Sequence, residues 1–215
     1  MPEILKITPK RPNASRIAKA VEILKAGGII AYPTETFYGL GVDGSNDEAI
    51  KKIFRIKGRK FKNPISIIIG NEKDLIRSVE EIPEYSHKLI KNFWPGALTI
   101  VFKASPTVSP LLTARTGRIG VRISSHPIAA ALAKALSRPI TATSANISGA
   151  AECTTAEEVI QSIGRELDAV IDGGPTPGIA GSTLIDVSVF PPVILREGII
   201  PASFIQKVMQ SGKKT

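Results

Sequence analysis

The sequence holds one cysteine, Cys153, and two histidines, His87 and His126. A lone cysteine excludes a disulfide framework and any cysteine-based zinc site, and two histidines argue against a protein-built metal cage. No apolar run approaches the ~20 residues that span a bilayer, so no membrane association is expected. The opening MPEILKITPKRP has no apolar stretch of the kind a signal peptide carries. The expected setting is the cytoplasm, with the thiol reduced. Also missing are G-x-x-x-x-G-K-[ST], a strand-borne G-x-G-x-x-G, G-x-S-x-G and H-E-x-x-H, which removes the P-loop, dinucleotide, α/β-hydrolase and zincin readings. His126, before Pro127, reads as a turn or cap residue, and Cys153 sits in a polar loop with no flanking base. An enzyme with this inventory works by positioning and electrostatics rather than through a covalent intermediate.

What is present is a 215-residue chain with 43% apolar and 22% charged residues, which is enough core to fold without staples and excludes disorder. Residues 1–215 are expected to form a single domain. The 28 basic and 19 acidic residues leave a net charge of +9. The excess is concentrated in KKIFRIKGRKFK (51–62), which carries seven positive charges and no acid. Such a run expects an anionic partner, although a solvated helix face is the commoner meaning.

Along the chain, helical and strand patterns alternate. Helices are expected near 15–26, 47–57, 72–79, 84–92, 127–136, 156–163 and 201–210. Strands are expected near 28–34, 65–69, 97–103, 118–124, 139–146, 168–172, 182–187 and 193–196. That alternation predicts an α/β fold with a twisted, mixed or parallel sheet and flanking helices.

Four segments can carry chemistry. YPTETFYGLG (32–41) leaves a buried strand with hydroxyls at Thr34 and Thr36; an ordinary glycine-bearing loop is the competing reading. Lys57 and Arg59 bracket the Gly58 helix stop. They pair a point charge with a bidentate fork, as a phosphate clamp does, or simply stabilise a helix C-terminus. TATSANISG (141–149) places Ser144 and Asn146 on one side of an extended loop, either for a ligand or as a cap. Arg118 and Arg122 share one face of the strand RIGVRIS and need a ligand anion or a carboxylate partner. The long Gly/Pro loop before Ser182, and Arg196 at the end of VILREG, complete the set.

In order, these segments give P-T-E-T-F-Y-G-L-G, K-x-R, N-P-I-S, F-W-P-G-A-L-T, V-R-I, T-S-A-N-x-S-G, S-T-L-x-D and L-R-x-G. The series resembles the threonylcarbamoyl-AMP synthase family, the YrdC-like domain, from about residue 12 to 206, in the short form without an extra C-terminal domain. The resemblance implies an α/β domain whose sheet curves around a large basic cavity. It implies condensation of L-threonine, bicarbonate or CO2, and ATP to L-threonylcarbamoyladenylate and pyrophosphate, the first step toward N6-threonylcarbamoyladenosine at position 37 of tRNA.

Carried across by motif, the expected catalytic and ATP-binding residues are Lys57, Arg59, Ser144 and Asn146, with Arg196 beside the nucleotide. Thr34, Arg122 and Ser182 are expected on the threonine. Mg²⁺ is expected with the ATP, and no protein-built metal site. RNA or tRNA binding by the basic face, and downstream threonylcarbamoyl-transfer proteins, are the implied partners. Two alternatives stay open: an RNA-binding protein without synthase activity, and a paralogue that hydrolyses the adenylate. The sequence departs from the family pattern at Lys60, where proline is common, and at GAAECTT (149–155), which replaces an S-P-T-like loop.

Overall fold

The structure, a computed structural model, describes residues 1–58 and 61–210. The strands are β1 (Glu3–Lys6), β2 (Ile30–Pro33), β3 (Tyr38–Gly41), β4 (Ser66–Ile68), β5 (Leu98–Lys103), β6 (Arg118–Arg122), β7 (Ile140–Ser144), β8 (Ala169–Asp172), β9 (Thr183–Asp186) and β10 (Val193–Arg196). The α-helices are α1 (Ala14–Lys25), α2 (Asp47–Lys57), α3 (Leu75–Ser78), α4 (Ser86–Phe93), α5 (Pro110–Thr113), α6 (Pro127–Leu136), α7 (Ala156–Ile163) and α8 (Ala202–Gln210). The strands form one mixed ten-stranded sheet in the order β1-β8-β2-β3-β7-β4-β6-β5-β9-β10.

The helix boundaries follow local chemistry. Asn46 caps α2 by accepting from the Ala49 amide at 3.1 Å, and Gly58 ends it at φ +58°. His126 caps α6 through Nδ1, which accepts from the Ile128 amide at 3.3 Å, with Pro127 in the first turn. Thr155 and Glu158 form a capping box on α7.

The two sheet faces are treated differently. Ile65, Ile67, Ile69, Leu98, Ile100, Phe102, Ile119 and Val121 pack with α2, α4 and α7 in one core. On the opposite face, α1 and α6 bury Leu5, Ile30, Tyr32, Ile68, Ile140 and Ile171 in a second core. That second pair of helices covers only part of its face. The uncovered part, from β3 across to β9 and β10, is the floor of a cleft.

One local expectation is corrected and two features are added. Tyr38–Gly41 is a strand rather than a turning loop. Gly41 lets it pass the Tyr32 ring: a Cβ at Gly41 would lie 2.7 Å from Tyr32 Cε1. Glu3–Lys6 adds a parallel strand beside β8 that the sequence pattern does not announce. Cys153 lies in a loop as expected but is buried there, and burial raises its thiol pKa.

Candidate active site

The sheet register explains why the cleft collects polar side chains. In antiparallel β5 and β6, Ile100 pairs with Val121. The same register continued by one residue sets Thr99 beside Arg122. In parallel β5 and β9, Thr99 pairs with Leu184, so Ser182, two residues earlier, shares its face. Ser66 on β4 and Ser144 on β7 point the same way. The result is a row of Ser144, Ser66, Arg122, Thr99 and Ser182 along one cleft floor. Gly120 keeps that floor low, because a Cβ there would come 2.5 Å from Ser66 Oγ and 3.1 Å from Thr99 Cγ2.

The cleft has a volume of about 210 Å³. That is below the ~300–1,000 Å³ of sites that swallow a drug-sized ligand whole. It is large enough for a small molecule.

Arg122 is 6% exposed. Its Nη1 lies 3.3 Å from Glu35 Oε1, and the Glu35 carboxylate is held in turn by the Ser124 hydroxyl. Its Nε has no hydrogen-bond partner among the described residues. A buried guanidinium with an unmatched N–H costs free energy until something accepts it. Arg118, on the same strand, pairs with Asp186 at 2.9 Å and plays a structural part.

Ser182 lies across the cleft floor. Its hydroxyl accepts from Thr99 Oγ1 at 2.9 Å and from Arg196 Nη2 at 3.3 Å. Arg196 also donates to the Ser182 carbonyl at 2.8 Å. Burial, followed by the nearby Arg122 charge, lowers the Arg196 pKa. Thr34 lines the cleft, but its hydroxyl donates to the Phe37 carbonyl at 2.7 Å and accepts from the Thr36 amide at 3.1 Å. It therefore shapes the PTET turn.

Lys57 behaves differently from Arg122. It is 3% exposed, and its Nζ donates to Ser144 O at 2.6 Å, Asn146 O at 2.8 Å and Asn146 Oδ1 at 3.0 Å. Ser144 Oγ donates to the same Asn146 Oδ1 at 2.7 Å, and Asn146 Nδ2 donates to Ala150 O at 2.6 Å. The K-x-R lysine and the S-A-N loop thus meet, as the motifs require, in one hydrogen-bonded knot beside the cleft. Arg59 and Lys60 lie outside the described residues.

The family model named for Sua5, YciO and YrdC, described as "Telomere recombination", matches residues 22–198. The chain belongs to the Sua5/YciO/YrdC family. It is 40% identical over 194 residues to the threonylcarbamoyl-AMP synthase of Pyrococcus abyssi, covering 90% of this chain and 57% of that protein. It is 38% identical over 198 residues to the synthase of Bacillus subtilis, covering 92% of this chain and 57% of that one. The chain therefore spans little more than half the length of these curated relatives. The crystal structure of P. abyssi Sua5 complexed with L-threonine superposes with a TM-score of 0.93 at 39% identity, covering 96% of this chain and 61% of that one. The fold expected from the Sua5/YciO/YrdC resemblance, a mixed α/β layer structure, is the one observed.

Sequence reasoning passed over Glu35, Thr99 and Glu152. The first lies inside the PTET motif, and its alternation with Thr34 and Thr36 was a usable signal. Thr99 is one polar residue in the apolar run ALTIVFK, which reads as a plain strand. Glu152 lines the cleft from the loop where this member departs from the Sua5/YciO/YrdC pattern.

Proposed function

We propose that this protein is a threonylcarbamoyl-AMP synthase, condensing L-threonine, bicarbonate or CO2, and ATP to L-threonylcarbamoyladenylate and pyrophosphate, with residues 1–215 acting as one catalytic unit. The observation that carries this reading is Arg122, a buried cation with an unmatched donor on the floor of a small cleft. A zwitterionic amino acid would bring it a second carboxylate beside Glu35. The fit is supported by the family and by the threonine carried by P. abyssi Sua5.

In this reading Arg122 and Ser182 hold the threonine carboxylate, and Thr34 shapes the wall beside it. The threonine nitrogen loses a proton and bonds to the carbon of CO2. An oxygen of the resulting carbamate then attacks the α-phosphorus of ATP, and the bond to pyrophosphate breaks. No side chain need become covalently attached. The task is to bring two anions together, which favours fixed cations and donors. Lys57, Arg59, Ser144 and Asn146 serve the triphosphate, with Arg196 toward the nucleotide. Lys57 does so by fixing the 144–150 loop and placing its charge beside it.

Mg²⁺ enters with the ATP, since it is commonly held by substrate phosphates plus one or two carboxylates. Glu152 on the cleft wall would supply one. The product serves tRNA N6-threonylcarbamoyladenosine formation at position 37, handed to downstream transfer proteins in the cytoplasm. The exposed cations of α2 would give a weak RNA contact. No described helix is long and apolar enough to cross a membrane.

The test is pyrophosphate release from ATP and bicarbonate with each amino acid in turn. Release that depends on threonine supports the synthase. Release indifferent to the amino acid, or absent while added threonylcarbamoyladenylate is broken down, overturns it.

A further inference from the structure

We propose that Thr99 is a positioning residue that fixes the direction of the Ser182 hydroxyl and so makes the cleft floor a donor-only seat for the substrate carboxylate. This rests on the amino-acid substrate argued above. A serine hydroxyl has one proton to give and two lone pairs to receive. On Ser182 both lone pairs are taken, one by the Thr99 hydroxyl at 2.9 Å and one by Arg196 Nη2 at 3.3 Å. No described group accepts the Ser182 proton, which is left for whatever occupies the cleft. Thr99 itself is 2% exposed and held between β6 and β9 by the sheet register. Gly120 gives its methyl group just enough room.

Arg122 supplies the charge of this floor; its Nε and the Oε1 of its partner Glu35 are both buried without a hydrogen-bond partner among the described residues. The free Ser182 proton and the Arg122 charge together favour an anionic group that only accepts. A carboxylate presents two oxygens and satisfies both. A carboxamide presents one oxygen and turns an N–H toward a donor. Without the Thr99 hydroxyl, a Ser182 lone pair is released and its proton can swing away, so the seat no longer has a fixed polarity.

The experiment measures L-threonine and L-threoninamide binding by calorimetry without ATP, followed by KM and kcat for pyrophosphate release. Thr99→Val should weaken threonine about five- to tenfold, the effect of one ordinary hydrogen bond, with threoninamide nearly unchanged. The KM for threonine should rise by the same factor with kcat within about twofold, as expected when an interaction common to ground and transition states is removed. Thr99→Ser should restore wild-type behaviour.

Because Thr99 acts through Ser182, Thr99→Val should add no further loss in a Ser182→Ala background, a coupling that a merely structural residue would not produce. If Thr99→Val does not fold, Thr99→Ala goes through the same cycle. Additive losses, equal weakening of threonine and threoninamide, or unchanged threonine affinity would each overturn the assignment while leaving the synthase reading intact. A wild-type protein that binds no threonine overturns both.

Discussion

The cleft has two cationic ends built on opposite plans. At one end, Lys57 has three acceptors from the protein itself, and the Ser144 and Asn146 side chains close on each other. At the other end, Thr99 leaves the Ser182 proton without an acceptor, and Arg122 Nε and the Oε1 of its partner Glu35 are both without a hydrogen-bond partner among the described residues. The first end is a strut and the second is a socket. A socket of fixed polarity can take threonine as it stands. A closed knot must exchange some of its own hydrogen bonds before phosphate oxygens can replace them. Threonine should therefore bind without ATP and with little rearrangement, whereas nucleotide binding should move the 144–150 loop.

Breaking the strut should have the largest effect. Lys57→Met takes the lysine donor from two carbonyls and leaves the Asn146 amide oxygen only the Ser144 hydroxyl, and each carbonyl left unmatched can cost ~1–3 kcal/mol. We expect pyrophosphate release to vanish and Tm to fall by roughly 5–15 °C, at about 2–4 °C per kcal/mol for a chain of this size. A calorimetric scan beside the activity assay checks both.

Removing the socket should separate function from stability. In the double variant Arg122→Met, Glu35→Gln, no buried charge is left alone, and replacing a buried ion pair whole is often neutral. Tm should stay within about 3 °C of wild type. Threonine affinity should fall about 10- to 100-fold with the loss of a charged hydrogen bond. If Tm fell as far as in Lys57→Met, the contrast between strut and socket would collapse.

A smaller effect belongs to the outer face of α2. Lys51 and Arg55 are exposed, and Lys51 pairs with Glu48 at 2.6 Å. The sequence groups Lys52 with them, but its Nζ donates to the Gly27 carbonyl at 2.9 Å and the residue is half-buried. Neutralising Lys51 and Arg55 alone should flatten the salt dependence of RNA binding by a slope of about two. Pyrophosphate release should stay within about twofold of wild type. Lost synthesis in that variant would make the whole basic run part of the strut.

The smallest effect concerns His126, whose pKa is lowered by burial, against the raising influence of Glu35. Its capping Nδ1 must be neutral to accept from Ile128. Below the ordinary value of 6.5 the unfolded chain takes up a proton that the folded one resists, so stability drops as pH falls through 6.5 and levels off below the folded value. His126→Asn keeps a cap and should abolish that slope. His126→Ala should lose about 1 kcal/mol above pH 6.5, a deficit that shrinks as the wild type itself loses stability below it. Urea titrations at several pH values distinguish the two.

Much of this arrangement is legible in the sequence where one local rule decides the outcome. Helices α2, α6 and α7 fall on their expected residues because Asn46, Pro127 and Thr155 open them, and Gly58 closes the first. The motif residues Arg122, Ser182, Ser144 and Arg196 do line one cleft. What the sequence hides is set by contacts between distant strands. Gly39 and Gly41 read as turn residues because glycine favours turns. Only the Tyr32 ring lying across the neighbouring strand shows why a strand needs them. Thr34 and Ser182 carry the same functional group, yet one hydroxyl proton is tied to Phe37 and the other is not. Hydrogen-bond direction of that kind is a property of the assembled sheet.

The placement of β10 has a kinetic corollary. It is the outermost strand of the sheet, and strands at an edge open locally at far lower free energy than the core. Beyond its pairing with β9, this edge is tied to the cleft where Arg196 reaches inward to the carbonyl and hydroxyl of Ser182. Whatever tightens Ser182 also tightens that pin. Amide exchange along Val193–Arg196 should therefore slow when threonine occupies the cleft, although no atom of the ligand need touch those amides. The frayed margin of the molecule would then report, through its exchange rate, whether the interior is occupied.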